Sequence, residues 1–482
     1  MKRYLYLLFV TVLAQSLHAQ RYLSLDSCRT LALTNNKDLR MAREKVTAAH
    51  YQQKATFTQF LPKLELTGGY LYTHREISLL SDEQKDALGN LGSNAGQSLQ
   101  QWAASHPLLA ELLQPLSGLL PSITQSLDGV GQSIANAFHT DTRHLYTGAA
   151  VLTQPLYMGG KIAAYHQLTR YAEQLAGTQQ ATQLQEVILQ TDQAYWQVIS
   201  LANKKRLAES YLELVEKLES DVTRLKAQGL ATKADELSVK VKVNEAEMTL
   251  TQVDNGLSLA KMVLCQLCGL PLETPLKLAD EEMKDLPLPS APSETPVAIA
   301  FANRSELKSL ELAEKIYRQK IRIARSEFLP TVALSASYLL SNPSLVNGFE
   351  KKFNGLWSIG VMVKVPVFHW GEGNYKVRAA KAEANIARYQ WEAAKEKVEL
   401  QVTQSSYKVN EAAKRLTMAL QNMEKAEENL KYANLSFREG VIPTSNVLEA
   451  QTAWLSAQSA KIDAQIEVRL SEVYLKKALG VL

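Results

Sequence analysis

The sequence predicts a mainly α-helical chain that also carries the strands of a membrane β-barrel. It is organised as two tandem repeats, each a strand pair followed by a long coiled-coil helical hairpin. Three observations predict this. Landmarks recur at constant offsets, two stretches of more than sixty residues run with almost no helix breaker, and short alternating stretches precede each of them.

The repeat is the first of these. Leu39, Phe60-Leu61-Pro62 and Tyr70 return 268 residues later as Leu307, Phe328-Leu329-Pro330 and Tyr338. Pro155, Gly160, Gln190, Gly229 and Gly269 return 211 residues later as Pro366, Gly371, Gln401, Gly440 and Gly480. The two offsets differ by 57 residues, so the first copy holds an insertion between Tyr70 and Pro155.

Residues 1–19 open with Lys2 and Arg3, run apolar from Leu5 to Leu13 and end in Leu17-His18-Ala19. This pattern predicts a signal peptide cut after Ala19. The formal net charge of +4 falls to about +2 without Lys2 and Arg3, too little to support nucleic-acid binding. No later segment has the roughly 18 consecutive apolar residues of a membrane helix. Cys265 and Cys268 have the spacing of a redox or half-zinc motif, but a lone pair is a weak signal. Packing is the expected role for them and for Cys28.

The elements then follow in order. The first repeat spans residues 20–270. It begins with a helix over about Leu25–Thr58, where Leu31, Leu39 and Val46 recur at helical spacing, and Pro62 ends it. Strand alternation follows in Leu64, Leu66, Gly68, Tyr70 and Tyr72, a pattern that on its own fits a barrel wall in a bilayer and a half-buried strand of a soluble sandwich equally well. An inserted loop covers about 76–142, partly helical around Leu108–Leu120. From Lys161 to Gln228 only Gly177 interrupts, which predicts a helix about 100 Å long at 1.5 Å per residue. Gly229 closes it, and Thr232-Lys-Ala-Asp235 opens the return leg with a capping box. Residues 271–296 hold six of the fifteen prolines and read as a linker. The second repeat, 297–482, is expected to match, with a helix over Thr295–Glu327. Its strand alternates Trp357, Ile359, Val361, Val363, Val365 and Val367, and its hairpin turns at Gly440 and Pro443. Leu416, Met423, Leu430 and Phe437 stand seven apart on that hairpin, a coiled-coil period.

Four membrane-suited strands are too few to close a barrel, since single-chain barrels need at least eight. Open edges leave backbone groups unpaired in lipid. Several chains must then share one barrel, two giving about eight strands and three about twelve. Long amphipathic helices likewise need other long helices to cover their seams.

At this point the chain resembles a known family. The signal peptide, the two-copy plan, the Phe-Leu-Pro motifs, the junctions Pro155…Gly160 and Pro366…Gly371, and the tips Arg224–Asp235 and Arg438–Gln451 carry the resemblance. Over nearly all of residues 21–482 it is similar to the TolC-like outer-membrane efflux proteins of Gram-negative bacteria. The resemblance implies a homotrimer in outer-membrane lipid, with a β-barrel in the membrane and an α-helical barrel in the periplasm. It also implies a passive exit duct for efflux or type I secretion, served by a periplasmic adaptor and an inner-membrane pump. A secreted coiled-coil adhesive or structural surface protein is the alternative, but it has no use for paired strands with aromatic ends such as Tyr70, Tyr72, Tyr157, Tyr338, Trp357 and Trp370.

No catalytic, cofactor or metal site is expected. The histidines are scattered, and no Walker loop or nucleophile elbow occurs. The hairpin tips are the candidate docking site: Gly229 and Gly440 as turn residues, with Leu230, Ala231, Val441 and Ile442 as exposed neighbours. The resemblance places the periplasmic gate at Asn446 and Glu449, where the family carries two aspartates. A tyrosine and an arginine of the family's closed-state latch fall on Phe437 and Ile442, and their carboxylate partner on Asp235. The polar latch is thus altered here, and Asp235 has the competing role of capping with Thr232. Like charges at a trimer mouth attract cations, so Glu449 is expected to support cation block.

Overall fold

The computed structural model describes residues 21–74, 80–105, 118–137, 143–282, 297–344, 346 and 350–482. The expected signal peptide lies outside the described residues. In chain order the elements are β1 (Arg21–Leu23), α1 (Leu25–Asn35), α2 (Lys37–Phe57), β2 (Lys63–Tyr72), α3 (Asp82–Gly89), α4 (Leu91–Ala104), α5 (Leu120–Ala137), β3 (His144–Met158), α6 (Lys161–Ala227), α7 (Lys233–Cys268), β4 (Leu276–Leu278), α8 (Val297–Asn303), α9 (Ser305–Ser326), β5 (Thr331–Asn342), β6 (Asn354–Lys364), α10 (Glu372–Arg438) and α11 (Thr444–Leu479). Among the described residues, no helix is long and apolar enough to cross a membrane.

One compact unit is built from Lys54–His166 and Arg322–Val377. Its centre is a four-stranded antiparallel sheet in the order β2-β3-β5-β6. Strand β3 bends at an irregularity between Pro155 and Tyr157, where proline cannot donate to the ladder. Leu64, Leu66, Trp357, Ile359, Val361 and Val363 are all exposed, so the sheet presents apolar side chains where a water-soluble strand would be polar. Val365 and Val367, read as strand from their alternation, lie beyond the end of β6. Strands β2 and β6 are free edges.

The insertion is more helical than its composition suggested. Helices α3, α4 and α5 form a small packed module, and residues 106–117, most of the stretch expected to be helical, lie outside the described residues. Its helices cross closely. A Cβ on Gly92 would sit 2.0 Å from the Thr124 carbonyl oxygen, and one on Gly131 would sit 1.8 Å from that of Leu88.

The other unit lies within the residues up to Gln53, Gln167–Ile321 and Arg378–Leu482. Helices α6 and α10 are each 67 residues long, and α7 and α11 are each 36. Small cores follow one another along them. Tyr211, Val215, Val243 and Ala246 form one, and Ala412, Leu416, Ala419, Ala464 and Val468 form another. Small residues at these positions let long helices approach without a thick centre.

Three expectations are corrected in this unit. The helix read over Leu25–Thr58 breaks at Asn36, whose side-chain oxygen accepts from the amides of Asp38 and Leu39 at 2.9 and 3.3 Å and so starts a new helix. The helix read over Thr295–Glu327 also breaks, at Arg304 between α8 and α9. The expected linker is not wholly irregular, because β4 within it pairs in parallel with β1. That ribbon lies over a core containing Cys28, Tyr195, Val198, Leu264, Cys265 and Cys268. The three cysteines are free thiols buried in this core, with Cys268 Sγ 3.6 Å from the Cys28 carbonyl oxygen.

Candidate functional site: the paired hairpin tips

Each long hairpin turns through the same backbone device. At the first tip Gly229 has φ +79°, its amide donates to Lys226 O at 3.0 Å, and the Leu230 amide donates to Leu225 O at 2.9 Å. At the second, Gly440 has φ +68°, its amide donates to Phe437 O at 3.0 Å, and the Val441 amide donates to Ser436 O at 2.8 Å. Both are glycine-terminated helix ends that satisfy the last carbonyls, and a left-handed residue is required at the turn.

The return legs start differently. Thr232 caps α7 in a full capping box, with Asp235 N donating to Thr232 Oγ1 at 3.1 Å and Thr232 N to Asp235 Oδ2 at 3.0 Å. The Thr232 hydroxyl, and then its amide, hold the Asp235 carboxyl below its usual range. Asp235 is therefore engaged as a cap. At the second tip Pro443 occupies the cap position without a side-chain bond.

The two tips share one core. Leu218, Val222 and Val239 of the first hairpin bury Phe437 and Val447 of the second, with Ala231, Ile442 and Leu448 half-buried around them. Leu230 and Val441 stand out at 74% and 73% exposure. The tip expectation divides accordingly: Leu230 and Val441 are open to a partner, while Ala231 and Ile442, expected to be exposed, help join the hairpins. Phe437, at a latch position, is a buried packing residue. Asn446 and Glu449 are both exposed. Glu449 lines an open groove with Lys242, Leu448, Thr452, Ala453 and Ser456.

The sequence reading missed the most heavily engaged carboxylate of the tip. Glu236, with its side chain 8% exposed, takes Lys226 Nζ at 2.5 Å, Lys233 Nζ at 2.7 Å and Lys240 Nζ at 3.0 Å. Lys226 reaches across the turn from α6. Lys226, followed by Lys233 and Lys240, drives the Glu236 carboxyl far below the ordinary carboxylate range. At the 211-residue offset the cluster changes character: Glu236 falls on Val447, Lys226 on Phe437 and Lys240 on Gln451. One tip is clasped by charge and the other by apolar contact. A glutamate with lysines three before, four after and ten before is the signal that could have been found. Among the described residues no group of His, Cys, Asp and Glu could hold a metal ion.

The fold and the tips define a structural class, chains that join a short antiparallel sheet to paired long helical hairpins. Residues 297–481 match the family model described as outer membrane efflux protein. The alkaline protease secretion protein AprF of Pseudomonas aeruginosa is 24% identical over 380 residues, covering 76% of this chain and 78% of AprF. The outer membrane protein TolC of Escherichia coli is 23% identical over 324 residues, covering 64% of this chain and 65% of TolC. Among solved structures, CusC aligns at a TM-score of 0.72 with 16% identity, covering 96% of this chain and 95% of CusC. VceC from Vibrio cholerae aligns at 0.69 with 17% identity, covering 95% and 96%. Identities this low establish a shared fold. The chain is thus similar to TolC-like outer membrane efflux proteins over most of its length, and the family model matches it over residues 297–481.

Proposed function

We propose that three copies of this chain form a passive exit duct for efflux or type I secretion. Their sheets would close one barrel of twelve strands, with β2 of each copy paired to β6 of the next. The observation that carries this reading is the four-stranded sheet itself. Its strands are 10 to 15 residues long, its faces expose Leu, Val, Ile and Trp, and both its edges are free. Such a sheet is unstable in lipid until its edges are paired.

In this reading the tandem hairpins are the walls of the periplasmic conduit. Leu230 and Val441 are the apolar contacts offered to a periplasmic adaptor, and Gly229 and Gly440 set the turns that present them. The energy comes from an inner-membrane pump. The names of AprF and of the export protein OpmQ concern secretion and pyoverdine export, which supports a transport role without fixing this chain's cargo. Asn446 and Glu449 are proposed as the mouth, with Glu449 as its charge. Planar-bilayer recording of the purified protein tests the proposal. Discrete conductance steps blocked by hexammine cations from the periplasmic side are expected, and a preparation without conductance overturns it.

A further inference from the structure

The insertion between β2 and β3 carries a feature that the duct does not use. On α5, Ile123, Leu127, Val130 and Ile134 are all exposed, Val130 at 56%. Their spacing of four, three and four places them in one stripe along the helix. The adjacent face is already occupied, because Thr124 packs on Gly92 and Gly96 and Gly131 on Leu88. Asp128 fixes the module by accepting from the Gly92 and Ser93 amides at 2.7 and 3.0 Å, which anchors the start of α4. Ile123, Val130 and Ile134 therefore point away from the module, while Leu127 stands at its border, its Cβ 2.9 Å from where a Cβ on Gly92 would lie.

Three observations select its occupant. First, Asp128 is the single charged residue on α4 and α5. Helices that lie on headgroups are rich in Lys and Arg, so a lipid surface is disfavoured, while nothing opposes approach by an identical helix. Second, the stripe reads as heptad positions d, a, d, a, with Ile123 at d and Leu127 at a, a combination that favours three- and four-stranded seams over pairs. Third, the module leaves the sheet at Tyr72 and returns at His144, which are partners in the β2–β3 ladder. It is thus tethered at the end of the free edge strand β2, where the neighbouring copy must attach. Tethering of this kind supplies a millimolar effective concentration, so even a short seam associates.

We infer that the α5 stripes of three copies pack on one another over the outer mouth of the channel. The inference rests on the trimer reading above. In a three-fold assembly a residue meets its own copies at the axis, so a self-complementary stripe places α5 across the exit as a helical cap.

The test is disulfide trapping in the full-length protein. Val130→Cys places a thiol in the stripe, and Gln125→Cys places one on the exposed opposite side of the same helix. The native thiols are buried. After mild oxidation with copper phenanthroline, trimers isolated by size exclusion are run on a non-reducing denaturing gel. Val130→Cys is expected to give linked dimers in most trimers, with the third chain left single, and Gln125→Cys at least tenfold less. An intact trimer without the Val130 crosslink, or with equal crosslinking at both positions, overturns the cap and leaves the duct standing. A monomeric mass for the same preparation overturns both.

Discussion

The Arg304 guanidinium donates through Nε to the carbonyl oxygen of Ala478 at 2.9 Å. At the other break the Asn36 side-chain amide donates through Nδ2 to the carbonyl oxygen of Leu267, at 3.4 Å. Each bond ties the break in an N-terminal helix to the last turn of a return leg. Beside each stands a left-handed glycine, Gly269 at φ +68° and Gly480 at φ +72°. A Cβ at Gly269 would lie 2.5 Å from the Asn35 side chain, and one at Gly480 would lie 3.0 Å from the Arg304 amide.

Arg304→Ala removes the donor and leaves a buried carbonyl unpaired, which costs about 1–3 kcal/mol. The thermal midpoint of the detergent-solubilised variant should fall accordingly. Lysine at the same position should recover only part of the loss, because it lacks the flat guanidinium.

Gly440→Ala isolates the cost of the turn itself. A Cβ there meets nothing within 4 Å, so the penalty is the left-handed conformation alone, about 1–2 kcal/mol. Asparagine should be tolerated better than alanine at both Gly229 and Gly440. Limited proteolysis at the tips checks this, and equal cleavage of the Ala and Asn variants would count against it.

The Glu236 clasp makes a pH prediction. Its folded pKa is depressed, so its contribution is complete above the unfolded carboxylate value of about 4.3 and is lost as pH falls through the folded value. Tryptic cleavage at Lys226 and Lys233, normalised to an unstructured control peptide because the protease itself slows as its histidine protonates, should therefore be flat from neutral down to mildly acid pH. Glu236→Gln should be cut severalfold faster throughout that range.

Glu449→Gln should weaken block by divalent and hexammine cations while leaving the open conductance nearly unchanged. Unaltered block would remove Glu449 from the mouth. Asn446→Asp should strengthen block by adding a second acidic layer.

These predictions follow how legible the chain was. The tips were readable because a left-handed turn leaves a glycine in the sequence, and Gly229 and Gly440 stand at one offset. The long legs were readable because their interiors lack proline. Asn36 was readable in principle, since asparagine caps helices and its bonds to Asp38 and Leu39 are local, whereas Arg304 was not, since arginine does not stop a helix and its side chain bonds to Ala478, far along the chain. Glu236 was hidden by Asp235, whose spacing from Thr232 already satisfied a capping motif. Its burial depends on Lys226 reaching across the turn, which periodicity does not encode. Phe437 was legible as a seam residue and not as a bridge between hairpins, because that role needs Val222 and Val239 of the other hairpin.

Native mass spectrometry of the detergent-extracted protein tests the central claim most directly. Edge pairing between neighbouring sheets predicts a particle of three chains that survives removal of the detergent shell. A particle of one chain, or of two, would contradict it.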